Sequence, residues 1–327
     1  MTAFAAALKA RIAQDGPITV ETFMGAALAH YYATRDPLGG SGDFTTAPEI
    51  SQIFGELIAL FLLQSWRDQG APVPVQLVEL GPGRGTLMGD IRHTLLKAGR
   101  DLISAAQTHL VETSPALRAK QEALLGPDVH WHATIESVPR GPLLLVANEF
   151  FDALPIRQFD ATGAERRIAL DTQEHLIFTT AASVEDSPVR AAVTAKIATR
   201  IAREGGVALI IDYGHAVSAP GDTLQAVKGH RYADPLAEPG EADLTAHVDF
   251  TALAAAVRSA GAAVHGPVTQ GDFLNALGLP LRVETLKAAD PGVDTAARRL
   301  TDPEQMGSLF KVMAISRIGT SALAGFS

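Results

Sequence analysis

The run Val78-Glu79-Leu80-Gly81-Pro82-Gly83-Arg84-Gly85-Thr86-Leu87 decides the reading of this 327-residue chain. A short apolar segment, Pro74 to Leu77, precedes it, and a long helical pattern follows. Strand, glycine turn and helix make half of a nucleotide-binding crevice. Glycines let a chain leave a strand and enter a helix within a few residues, at dihedrals that strain other residues. They also let a ligand approach the backbone, while the helix N-terminus offers N–H groups and a partial positive charge. Glu79 narrows the ligand. A carboxylate two residues before the first glycine repels a pyrophosphate and suits a ligand that is positive at that end. The dinucleotide fingerprint requires G-x-G-x-x-G. Here its third glycine position is Thr86, and the glycines read G-x-G-x-G.

Outward from the turn, strands and helices alternate. Val75 to Glu79, Thr108 to Glu112, Leu143 to Ala147 and Val207 to Ile211 read as strands, the last two as short apolar runs buried on both faces. Helices are expected over Thr86–Lys97 and Ser114–Leu125. This alternation predicts an α/β fold, a doubly wound, mostly parallel sheet with right-handed crossovers. Upstream, residues 2–14 and Ile18–Ala33 read as helices, and a third starts near Pro48 after a glycine-rich loop. Ile156–Phe159, Arg166–Leu170 and Leu176–Thr180 read as antiparallel strands of an insert, and the helix Pro188–Arg203 returns the chain to the sheet. Asp249–Ala260 reads as a helix capped by Asp249, and Val264–Thr269 and Lys311–Ser316 as strands. The expected organisation is residues 1–70 as N-terminal helices with a lid loop, 71–319 as the main domain with an insert at about 156–187, and 320–327 as a loose tail.

Composition excludes several classes. Hydrophobic residues make up 47% of the chain, enough for a sizeable core, and the net charge of −9 comes without a nucleic-acid-type basic patch. The absence of cysteine rules out disulfides and thiolate chemistry. No metal is called for; His130 and His132 around Trp131 read as surface or packing residues. No run approaches a membrane span. The start, Met1 to Gln14, lacks the pattern of a secretory signal, so a cytoplasmic protein is expected.

Further polar residues gather where the strands end. Glu112 closes the second strand, where an acid can accept hydrogen bonds from both ribose hydroxyls of a nucleoside. Asn148, at the end of the third, offers a donor and an acceptor to an adenine or a nearby polar group. Glu149 and Asp152 place two acids beside Phe150 and Phe151, and Asp212 ends the next strand. Unpaired buried carboxylates are costly, so these acids invite a functional reading.

The acid and glycine spacing of the turn resembles motif I of class I S-adenosylmethionine methyltransferases. The blocks Gly42 to Glu56, Glu79 to Leu87, Asn148 to Pro155, Asp212 to His215 and Asp243 to Phe250 stand in the order found in the MidA-like family, which includes the mitochondrial complex I assembly factor. The resemblance runs from about Gly16 to Ser316. It implies a class I methyltransferase fold, S-adenosyl-L-methionine as cofactor, and arginine N-methylation of a protein, with a respiratory complex I subunit as the implied client. Glu79, Gly81, Gly83, Gly85, Thr86, Glu112 and Asn148 are expected to hold the cofactor. The loop Gly39 to Thr46 is expected to close over it, bringing in Asp43, Phe44 and Thr45. Glu149, Asp152 and Asp212 are expected to face the methyl acceptor, because carboxylates hold and orient a guanidinium. Two other readings stay open: a small-molecule methyltransferase, and an assembly chaperone with little turnover that uses the insert.

Overall fold

The computed structural model describes residues 2–34 and 45–326. Among the described residues, seven strands build the main sheet: β1 (Val75–Leu80), β2 (Ala106–Val111), β3 (Val129–His132), β4 (Leu143–Asn148), β5 (Gly206–His215), β6 (Ala263–Thr269) and β7 (Phe310–Ser316). Their spatial order is β6-β7-β5-β4-β1-β2-β3, and the short strand Val248–Asp249 pairs with the end of β5. From β3 to β5 neighbouring strands run parallel. β7 lies antiparallel between β5 and β6. The chain starts in the middle at β1, moves outward through β2 and β3, and then returns to β4 on the other side of β1. The carboxyl ends of β1 and β4 therefore flank the point where the winding reverses, the place where open α/β sheets bind ligands.

The central strands are apolar on both faces, so alternate residues feed two cores. Leu77, Leu144, Val146, Leu209 and Ile211 face one side, where the helix α3 (Gln52–Asp68) adds Phe54, Leu57 and Phe61. Val78, Leu145, Ala147, Ala208 and Ile210 face the other, with Ile197 and Ile201 of α6 (Pro188–Glu204) and Val257 of α7 (Phe250–Ser259). A third core joins α1 (Ala3–Asp15) and α2 (Val20–Thr34) to the insert through Leu8, Ile12, Phe23, Met24, Ile156 and Ile168. The helix α4 (Thr86–Ala98) follows the glycine turn, and α5 (Pro115–Leu125) follows β2.

Two local differences from the sequence reading have physical causes. Ile18 and Thr19 are extended because they pair with Ile168 and Arg167 of the insert, and Thr19 then accepts the Thr22 N–H at the start of α2. The helix begun at Ala47 stops at Ile50; extended Ser51 breaks it and caps α3 through Ile53 N–H. Within the insert, Arg167–Leu170 pairs with Leu176–Phe178 as expected, but Arg157–Phe159 pairs with Val184–Asp186. Gln225–Lys228 and Arg231–Ala233 form a further antiparallel hairpin outside the expected elements. Residues 320–326 form no helix or strand, yet Leu323 is buried and Phe326 packs against Phe61 and Phe273. Among the described residues, no helix is long and apolar enough to cross a membrane.

Candidate active site

The glycine turn is built from left-handed backbone. Gly81, Gly83 and Gly85 have φ of 59°, 55° and 87°. Gly81 is also constrained by space: a Cβ there would stand 2.8 Å from the Phe150 ring. Its N–H donates to Val111 O at 3.1 Å, which ties the turn to the end of β2. Thr86 opens α4 and donates its hydroxyl to Glu49 at 2.6 Å. Behind the turn, Glu79 is 3% exposed and receives the Met88 amide. Burial, with repulsion from Asp90, pushes its carboxyl up to about 8. Glu79 Oε2 is buried and makes no hydrogen bond among the described residues.

These groups border a cavity of about 420 Å³ at the carboxyl ends of β1, β2 and β4. Its wall brings together Glu79, Gly81, Gly83, Thr86, Glu112, Asn148 and Glu149. Gly85 shapes the turn without lining the wall. Glu112 is partly committed to its own loop: Oε1 accepts the Thr113 and Ser114 amides at 2.7 Å each, and Oε2 lies 3.4 Å from Gln121 Nε2. Asn148 donates its amide to Glu149 Oε1 at 3.2 Å, and its Oδ1 is buried without a partner among the described residues. Of the expected lid residues, Asp43 and Phe44 lie outside the described residues, and Thr46 rather than Thr45 lines the wall. Leu28 and Tyr32 of α2 close one side, a contribution for which the sequence offers no local signal. Glu49 also lines the cavity and was missed, although it lies within the Gly42 to Glu56 block.

The structure separates the acids expected to face the acceptor. Glu149 lines the cavity, whereas Asp152 and Asp212 do not. Glu149 has φ of 50°, a conformation costly for a residue with a side chain. Its Oε1 accepts the Ala47 N–H at 3.1 Å. Burial, then the nearby Asp152, pushes the Glu149 carboxyl up to about 8. Asp152 is 6% exposed and hydrogen-bonds Tyr213, and burial raises its pKa. Asp212 is wholly buried; burial and the neighbouring Asp152 and Glu149 raise its pKa well above the usual carboxylate range.

The wall fits S-adenosylmethionine in chemical character. Glu79 Oε2 and Asn148 Oδ1 are buried acceptors that call for donors, Gly81 leaves room no side chain would leave, and carboxylates outnumber cations in the lining. Sheet order, switch-point cavity and acid–glycine turn together define a class I methyltransferase. The family model for S-adenosyl-L-methionine-dependent methyltransferases matches residues 57–191 and 171–268, and the chain belongs to that family. A curated relative from Drosophila melanogaster, named protein arginine methyltransferase NDUFAF7 homolog, mitochondrial, is 38% identical over 94% of this chain and 83% of its own. The Homo sapiens protein of that name is 34% identical over 93% and 81%. Among solved structures, a COG1565 superfamily member from Burkholderia thailandensis bound to S-adenosyl-homocysteine superposes with a TM-score of 0.84 at 27% identity, covering 99% of this chain and 94% of that one. The expectation of a cytoplasmic protein is overturned here, because the curated relatives are mitochondrial proteins.

Proposed function

We propose that this methyltransferase transfers the methyl group to an arginine nitrogen of a protein, with Glu149 facing the acceptor. The observation that carries this reading is the placement of Glu149: its strained turn puts a half-buried carboxylate in the same cavity wall as Glu79 and the glycine turn. The names of the relatives, which are protein arginine methyltransferases, point the same way. Bound in the cavity, S-adenosylmethionine supplies a methyl group already activated on a sulfonium. The chain's task is then to hold and orient the acceptor. A guanidinium keeps its charge at any physiological pH, with a pKa above ~12. Among the described residues, the hydrogen bonds to the Glu149 side chain fall on Oε1, and Oε2 is the oxygen assigned to the acceptor. Arrival of a cation offsets the burial penalty and pulls the Glu149 pKa down, so the carboxylate is charged when it is needed. One proton is lost per methyl added, and Glu149 is the base in the wall that takes it.

A subunit of respiratory complex I is the proposed client, as the sequence resemblance implies. The test incubates the purified protein with labelled S-adenosylmethionine and complex I subunits, and separately with cell lysate, and reads the product by mass spectrometry. Methylarginine in a complex I subunit is the expected result. Label in other proteins alone overturns the client, and label confined to small molecules or lipid overturns the acceptor.

A further inference from the structure

Glu149 stands in an unfavourable conformation, so something outside its own turn must hold it there. The holding groups are Asp212 and Arg190. Asp212, on β5, reaches across to the loop after β4. Its Oδ2 accepts the Phe151 and Asp152 amides at 2.9 and 3.2 Å, and its Oδ1 accepts the Tyr213 amide at 3.0 Å. Arg190, on α6, donates to Asp152 O at 2.9 Å, Ala246 O at 3.0 Å and His247 O at 2.6 Å. Ala246 N–H donates to the same Asp152 carbonyl at 3.1 Å, and Glu149 N–H donates to Ile211 O at 2.9 Å. The turn is thus gripped by its amides from one strand and by a carbonyl from one helix and one loop.

The groups are matched to this work. Three amide donors on two oxygens call for a carboxylate that accepts on both, and an amide in its place would aim a donor at a donor. Burial works against that charge, and Arg190 opposes the effect on both Asp212 and Asp152. Arg190 is itself buried, and burial lowers its pKa. The planar guanidinium fork holds these three carbonyls in a fixed geometry, which a flexible ammonium does not reproduce.

We infer that Asp212 and Arg190 are positioning residues that hold the Glu149 turn in its left-handed conformation, and so aim the Glu149 carboxylate at the acceptor. The inference rests on Glu149 being the acceptor-facing group. It reassigns Asp212 from the acceptor's contact shell to the support behind it.

The test is a double-mutant cycle on the full chain, Asp212→Asn against Glu149→Gln, with Arg190→Lys as a charge-preserving second probe. Circular dichroism first establishes that each variant is folded. Asp212→Asn is expected to lower kcat about 30- to 100-fold, while KM for an arginine peptide and the calorimetric Kd for S-adenosylhomocysteine stay within about threefold. In the Glu149→Gln background it should cost less than about twofold more, because the residue acts through Glu149. Full multiplication of the two losses overturns the proposal. A second readout needs no turnover: the Glu149 carboxyl is titrated by carbon-13 NMR in the ligand-free protein. Arg190→Lys should move its midpoint down by at least about half a unit, as the released side chain reaches water. An unmoved midpoint overturns the clamp. A moved midpoint in a protein that methylates no arginine supports the clamp and overturns only the reading of the acceptor. If Asp212→Asn does not fold, Arg190→Lys takes its place in the cycle.

Discussion

The two halves of the cavity reach the same end by opposite means. On the cofactor side, backbone at positive φ is carried by Gly81, Gly83 and Gly85, for which that conformation costs little. On the proposed acceptor side, Glu149 adopts positive φ with a side chain attached. It stays there because Asp212, Arg190 and the end of β5 hold its loop. The first half is local and is specified by a few consecutive residues. The second is assembled from residues far apart in the chain. A turn that must only admit a ligand can dispense with side chains, but a turn that must present a carboxylate cannot.

The largest expected effect lies on the acceptor side. Glu149→Gln keeps the size of the side chain but removes its charge and its basicity. A loss of about 10²- to 10³-fold in kcat is expected, from general-base and electrostatic terms together. Calorimetric affinity for S-adenosylmethionine should hardly change. The free-enzyme pKa of about 8 adds a pH signature: kcat/KM should rise with pH to a plateau above 8, because only the ionised carboxylate serves. That limb should vanish in Glu149→Gln. An unchanged kcat removes Glu149 from the chemistry and collapses the contrast between the halves. Next in size is Glu79→Gln on the cofactor side. It removes the charge proposed to face the cofactor's positive end, and a loss of about 10- to 100-fold in affinity is expected from one charged hydrogen bond. Because Glu79 titrates at about 8 in the empty cavity, cofactor binding below that pH should release a proton. Calorimetry in buffers of different ionisation enthalpy reads that release, which should disappear in Glu79→Gln. Equal proton release in both proteins assigns the proton to another group.

The same contrast explains what the sequence made legible. The central sheet could be read because its strands are continuous apolar runs between helical patterns, and the turn because glycine spacing after a strand has few other uses. Glu79 and Glu149 could be placed because each sits at or just past a strand end, where the chain meets the crevice. Asp212 could be located but not given its role, since a carboxylate at a strand end looks alike from sequence whether it meets a ligand or another loop's amides. Arg190 left no trace. It reads as an ordinary residue in the first turn of an amphipathic helix, and its three carbonyl partners lie 38 to 57 positions away. The strand at Ile18 is hidden for a related reason: its partner, Ile168, is distant, and tertiary pairing overrides a helical pattern.

The smallest effect isolates backbone from chemistry. Gly85 carries no functional group and sits at φ 87° in front of α4. A Cβ there would meet Leu125 Cδ1 at 3.3 Å and Gln121 Cγ at 3.4 Å, both side-chain atoms able to give a little. Gly85→Ala should therefore cost mainly the left-handed strain, about 1–2 kcal/mol. In a chain of this size that lowers Tm by roughly 1–3 °C. Gln121 holds Gly83 O at 2.7 Å, so a slight shift there should weaken cofactor binding only a few-fold. Glu149 bears the same kind of strain in the native protein. If Gly85→Ala folds with a modest loss of Tm and keeps its cofactor, the sheet and helices tolerate one such turn on each side of the cavity. Glycine on the cofactor side is then a matter of economy, and its absence at Glu149 a matter of function. A variant that loses the cofactor outright places Gly85 in the ligand's path, and the cofactor side is then as exacting as the acceptor side.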